Sequence, residues 1–345
     1  MNLQIAMILG QDGVTNGAIY ALLALSILLV FTVTRVLFIP QGEFVTFGAL
    51  TMAAVQAGQA TALVWLVVGL AVAEAAFDLY AQRKAGRPLH LNRVMLFKLA
   101  YPFVLAALLY QLPLAELPMA AQALLTLALV VPLGPQMYRL FFQPIANAPA
   151  LVLLIVSISV HVAMVGIGLL LFGPSGAKTE PFSDGGLELG PITLNSQTLW
   201  VIAVSLALIV ALYQFFERTI YGKALRATAI NRTGARLMAI SPVFAGKASF
   251  FLAALIGTLS GILIAPITTM YFDSGFIVSL KGFVGAIIGG LVSYPVAALG
   301  ALVVGLIEAF SAFFASTYKE IIVFTLIIPF LLWRSLTSRH VEEEE

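Results

Sequence analysis

Residues Glu217 to Pro242 read ERTIYGKALRATAINRTGARLMAISP, and long apolar runs stand on both sides of them. The stretch holds Arg218, Lys223, Arg226, Arg232 and Arg236 against one acid, Glu217. Its surroundings are very different. The 345 residues are 61% hydrophobic and only 10% charged, with a mean hydropathy of +1.03. A soluble domain carries roughly 25% charged residues. Polar surface is too scarce here to cover a water-soluble globule, so the chain reads as a polytopic membrane protein. The basic stretch then has to stand in water at one membrane face.

Composition excludes several chemistries. There is no cysteine, so disulfides, zinc–thiolate sites and iron–sulfur clusters drop out. His90, His161 and His340 are too scattered for a metal site. No Ser/His/Asp set, HExxH or phosphate-binding glycine loop occurs, which leaves a membrane-embedded enzyme without support. A net charge of +2 carries no nucleic-acid signature. The start, MNLQIAMILGQDG, lacks a positive n-region, so the first apolar run reads as a retained span.

Outward from the basic stretch, the apolar runs predict an all-α transmembrane helical bundle of about 9–11 membrane segments, short and broken helices included. The whole chain, 1–345, reads as a single membrane domain. The expected spans are Thr15–Thr34, Phe44–Ala57, Ala62–Phe77, Leu151–Phe172, Leu199–Phe216, Phe244–Ile267, Phe283–Leu291, Val296–Phe314 and Ile321–Trp333. Residues 78–135 read as an inserted segment with a basic start and an additional hairpin, 99–112 and 119–135. Gly173–Gln197 is the longest acidic loop.

With 217–243 in the cytoplasm, counting spans outward places Lys178, Lys281 and Lys319 outside and the other fifteen of eighteen Lys and Arg inside. That is the positive-inside pattern, and with Phe283–Leu291 as a crossing it sets the N-terminus outside and the C-terminus in the cytoplasm. Pro40, Gly42 and Glu43 interrupt one apolar run, and Tyr271–Val284 interrupts another. Each follows a complete span, and the two spans run in opposite directions, as an inverted repeat requires. Gly257/Gly261 and Gly285/Gly289 are spaced for close helix packing.

Charges inside apolar runs mark either inter-helix hydrogen bonds or a transport path. Glu308 and His161 fall mid-span, and together they define an alternative, a proton-coupled secondary carrier. Lys281 and Glu43 fall near predicted helix ends, where snorkelling accounts for them. Within the basic stretch, Gly222–Ile230 fits a short helix, Gly234 a break, and a further turn runs to Ile240. Leu225, Ile230, Leu237, Met238 and Ile240 are more apolar residues than a solvated loop has reason to carry. The stretch therefore reads as a docking helix for a cytoplasmic partner.

At these residues the chain resembles a known family. GKALRATAINRTGARLMAI, a span, and then LKGFVGAIIGGLVSYPVAALGALVVGLIEAF are similar to the permease subunits of branched-chain amino acid type ABC importers. NGAIYALLAL and QPIANAPALVLLIVSISV fit the same pattern, and the likeness covers roughly residues 14–75 and 138–333. The resemblance implies a bacterial inner-membrane subunit that binds no cofactor itself. It would work with a second, related permease, two cytoplasmic ATPases holding ATP and Mg, and a periplasmic binding protein. It implies ATPase coupling through Gly222, Lys223, Arg226, Asn231, Arg232 and Arg236. Gln41, Glu43, Lys281, Phe283 and Glu308 are the candidate path or gate positions. The implied substrate is a branched-chain amino acid or a related amide, urea or organic acid.

Overall fold

The computed structural model describes residues 3–84, 86, 93–189, 192–291 and 293–337. Where water is absent, each backbone N–H and C=O must be satisfied within its own segment, and apolar runs of this length become helices. They are α1 (Leu3–Thr34), α2 (Gln41–Gln56), α3 (Leu63–Lys84), α4 (Arg93–Gln111), α5 (Met119–Val130), α6 (Leu133–Met137) and α7 (Ala150–Phe172). After them come α8 (Ser196–Arg218), α9 (Ile220–Ile230), α10 (Arg232–Leu237), α11 (Pro242–Ile264), α12 (Ser274–Ile288), α13 (Tyr294–Phe314), α14 (Lys319–Thr325) and α15 (Ile327–Thr337). Among the described residues, seven helical stretches are long and apolar enough to cross a membrane, and Met95–Gln111 and Ser274–Ile288 are shorter apolar helices. The chain is a multi-pass helical bundle. The acidic loop adds what composition did not announce: an antiparallel hairpin, β1 (Gly186–Leu189) on β2 (Ile192–Asn195).

Helix α1 is the axis of the bundle. Of its most apolar window 89% is buried, against 11% for α8. Small residues let its neighbours approach: Gly13 and Gly17 lie against Leu302, Gly305 and Leu306 of α13. The two GxxxG pairs serve packing. A Cβ on Gly261 would stand 2.1 Å from the carbonyl oxygen of Val45 in α2, and Gly285 and Gly289 seat Ala301 and Ala297 of α13.

Two long helices are each followed by a short one. α1 ends at Thr34, Arg35 with a φ of 63° turns the chain back, and α2 begins after Pro40. α11 is followed by 265–273 and then α12. The first turns of α2 and α12 cross directly. A Cβ on Gly42 would meet the Gly275 carbonyl oxygen at 2.2 Å, and one on Gly275 the Gly42 carbonyl oxygen at 2.0 Å. Each glycine is the second residue of its helix, and the contact is reciprocal. The 15 residues of α12 reach about 22 Å, short of the ~30 Å hydrocarbon core. Phe283–Leu291, expected as a separate span, is the end of a helix that starts at Ser274 and stops at Ile288, followed by a turn to Leu291.

The 78–135 segment divides in two. α4 lies on α3, and α5 and α6 pack against α2 and α11. Leu129, Val130 and Leu133 belong to the main core cluster with Phe44, Phe47 and Phe250, so the second arm of the expected hairpin is a core element. Buried Glu74 of α3 ties the region together, accepting from Lys98 of α4 at 2.5 Å and from Lys247 of α11 at 3.4 Å. Arg139 pairs with Asp78.

Candidate functional site

The crossing of α2 and α12 gathers polar groups inside an apolar bundle. The Gly275 amide donates to Thr46 Oγ1 at 2.9 Å, and Gln41 Nε2 donates to the Ala253 carbonyl of α11 at 3.0 Å. The extended link before α2 is held by Ser157 of α7, which accepts from the Ile39 amide and donates to the Leu37 carbonyl. Glu43 stands in the first turn of α2, where the helix dipole favours a negative charge. It is fully buried, and His161 Nδ1 of α7 lies 3.0 Å from its Oε1. The separation fits a hydrogen bond but the angles do not, so both groups keep unsatisfied polar atoms. The other face of His161 stacks on Phe276 of α12, ring centres 4.5 Å apart.

About one and a half turns further along α12 is Lys281. Its Nζ donates to Glu308 Oε1 of α13 at 2.5 Å and to Glu320 Oε1 of α14 at 3.1 Å. Tyr20 of α1 donates its hydroxyl to Glu308 Oε2 at 2.5 Å. Lys281 and Glu308 are both buried. One ammonium thus joins four helices through two carboxylates and a phenol.

Two expectations change here. Lys281 and Glu43 do not snorkel from helix ends, because both are enclosed and paired across helices. His161 and Glu308 do not form a relay pair: the first meets Glu43 and Phe276, the second Tyr20 and Lys281. Phe283 is half-buried and lines a small hollow with Phe276 and Phe38. Tyr20 and Glu320 were not singled out from the sequence. A lone Tyr in an apolar helix and a Glu beside a turn carry no motif, and only the helix packing makes them partners of Lys281.

The basic stretch folds as two short helices at one end of the bundle. Thr219 accepts from the Gly222 amide at 3.0 Å and starts α9. Gly222 is needed there, since a Cβ would stand 2.2 Å from the Phe215 carbonyl oxygen. The break falls at Asn231 and not at Gly234: Asn231 leaves the helical conformation and caps α10, its Oδ1 accepting from the Gly234 amide at 2.8 Å. Leu225 is fully buried against Leu29, Val33 and Ala245, so it anchors α9 and presents nothing outward. Its spacing from Gly222 and Thr228 puts all three on the inner face. Ile230, Leu237 and Met238 are exposed at 79%, 83% and 77%, and Ile240 is half-buried.

The cationic residues separate likewise. Lys223 and Arg236 are exposed, and Arg226 pairs with Glu217 at 2.8 Å. Arg232 turns inward, donating to the Val33 carbonyl at 2.9 Å and to the Ala146 carbonyl at 3.5 Å. Burial pushes its pKa down; Tyr138 counters this, and Arg35 and Arg236 add to it.

Comparison with known proteins agrees with this architecture. Residues 93–331, more than half of the chain, match the family described as branched-chain amino acid transport system / permease component. The match begins within the segment read as inserted. The high-affinity branched-chain amino acid transport system permease protein BraD of Pseudomonas aeruginosa is 25% identical over 242 residues, 67% of this chain and 78% of that protein. The corresponding permease LivH of Escherichia coli K12 is 26% identical over 210 residues, 58% of this chain and 67% of that protein. No solved structure matches the chain. With a polytopic bundle, a basic two-helix segment at one end and a match across most of its length, the chain belongs to the branched-chain amino acid transport system permease family.

Proposed function

We propose that this chain is the translocating permease subunit of an ABC importer for a branched-chain amino acid or a related amide, urea or organic acid. It works in a bacterial inner membrane beside a second, homologous permease. A periplasmic binding protein delivers the solute, and two cytoplasmic ATPases hold ATP and Mg. The N-terminus lies outside and the C-terminus inside, which puts α9 and α10 in the cytoplasm. The observation that carries the reading is the pair α9–α10: anchored by Leu225 and Arg232, it presents Ile230, Leu237, Met238, Lys223 and Arg236 to solvent. Exposed apolar residues ringed by cations on a fixed helix pair suit a protein partner.

The chain's own part is mechanical. The partner's closure would push on α9, which is packed against α1 and α11 through Leu225. Movement of α1 bears on α12 directly, and movement of α11 through α2, and α12 is the helix that carries Lys281 and stacks Phe276 on His161. The Glu43–His161 contact and the Lys281–Glu308–Glu320 set are polar contacts that a shift of α12 would break and re-form. Gln41, Glu43, Lys281, Phe283 and Glu308 are thereby assigned to the path or gate, and Gly222, Lys223, Arg226, Asn231, Arg232 and Arg236 to coupling. Within coupling, Gly222, Asn231 and Arg232 shape the segment, while Lys223, Arg226 and Arg236 face outward.

Co-purification of the tagged chain from its host, with and without Arg236→Glu plus Met238→Asp, tests this. ATPase subunits should accompany the wild type and be lost from the variant. A wild type that purifies alone from gently solubilised membranes refutes it.

A further inference from the structure

Helix α8 buries side chains only over its first half, and its far end touches the bundle again through Phe216, whose ring centre lies 6.1 Å from that of Tyr294 at the start of α13. Its buried residues are Gln197, Thr198, Val201 and Ser205, and none from Leu206 to Arg218 is buried. Between this second half, α1 and the start of α13 lies a cavity of about 850 Å³. Its walls are apolar, with Leu25, Leu29, Ile209, Leu212 and Ala298 among them. Arg35 and Arg226 also line it. Arg35 is exposed where the chain leaves α1, and its guanidinium makes no hydrogen bond or ion pair among the described residues. Among the described residues, Arg226 is tied only to Glu217.

We propose that this gap is a binding site for an anionic phospholipid, its acyl chains between α8 and α1 and its phosphate at Arg35 and Arg226. A crevice with this lining gives water almost no hydrogen-bond partners, whereas acyl chains match it along its length. The two guanidinium groups supply fork-shaped donors for phosphate oxygens. They also select for net charge. A zwitterionic headgroup would bring a third cation to the site, whereas an anionic one is complementary to both arginines. The lipid would have a mechanical consequence, because Leu225, Ala229 and Ile230 of α9 line the same cavity. It would fill the space behind that helix and set how far the helix can move inward. The proposal depends on the chain lying in a membrane, and it holds whichever solute is carried.

The chain has no cysteine, so Ile209→Cys gives a single labelling point inside the gap. The full chain, labelled there with a small fluorophore and reconstituted in vesicles, is titrated with phosphatidylglycerol or phosphatidylcholine carrying brominated acyl chains. Brominated phosphatidylglycerol should quench at the lower mole fraction. Arg35→Ala should raise that fraction about fivefold, the effect of one basic residue near a lipid surface, and Arg35→Lys should restore most of the preference. Equal quenching by the two lipids in the wild type overturns the proposal. So does a preference that Arg35→Ala leaves unchanged. So does failure of either lipid to quench while a photocrosslinker at residue 209 joins the chain to a second polypeptide, which would identify a protein as the occupant.

Discussion

Replacing Lys281 with Met tests whether the buried cluster works as a unit. The methionine keeps the length of the side chain and removes the ammonium that Glu308 and Glu320 share. The two carboxylates fare differently. The Glu320 side chain is 38% exposed and can turn to solvent, whereas that of Glu308 is 9% exposed and keeps only the Tyr20 hydroxyl. Breaking a buried pair by removing one partner costs about 3–5 kcal/mol, because the remaining charge is left uncompensated. At roughly 2–4 °C per kcal/mol for a large domain, thermal unfolding in detergent should fall by about 6 °C or more. Lys281→Met combined with Glu308→Gln should recover most of that loss, since a carboxamide carries no charge to strand. Glu308→Gln alone should cost less than Lys281→Met, because Lys281 keeps Glu320. The reasoning fails if Lys281→Met moves the midpoint by less than about 2 °C, or if the double variant equals the sum of the singles within about 0.5 kcal/mol, the additivity of independent sites.

Gly275→Ala forces a methyl group into the Gly42 backbone and should destabilise the bundle by about 1–3 kcal/mol. Gly166→Ala, where the new carbon meets nothing within 4 Å, should not, and detergent melts of the two compare them directly. Asn231→Ala removes the cap of α10 at about 1 kcal/mol. Hydrogen exchange should quicken across 232–237, and Asn231→Asp should keep the wild-type rate. Leu237→Asp and Met238→Asp sit on exposed positions and should leave the melt within about 0.5 kcal/mol of wild type. Under the importer reading, both should still lower the yield of co-purified ATPase. Tyr20→Phe deletes the hydroxyl that reaches Glu308 and should cost about 1.5–3 kcal/mol, the range for a hydrogen bond to a charged group.

Much of the architecture is legible in the chain because lipid leaves few options. Twenty apolar residues in a row become a helix whatever lies beside them. That is why Leu151–Phe172 and Val296–Phe314 appear within two residues of their expected bounds. The breaks at Pro40 and before Ser274, and the polar helix pair at 220–237, are equally local. Proline, glycine and clustered charge act on their own neighbours.

Which face a residue turns, and whom it meets, depends on the other helices. Leu225 and Leu237 look alike as apolar residues in one basic stretch, yet one is walled in by Leu29 and Ala245 and the other stands in solvent. Lys281 and Glu43 looked cheap at predicted helix ends, because the sequence does not say that α2 and α12 begin inside the bundle. Tyr20 and Glu308 are 288 positions apart, and no spacing rule spans that distance. Backbone conformation and membrane insertion follow from runs of neighbouring residues, so the sequence alone determined the helices and the basic segment. The pairing of buried charges is a property of surfaces brought together by small-residue contacts such as Gly42 on Gly275, and only the tertiary structure decided it.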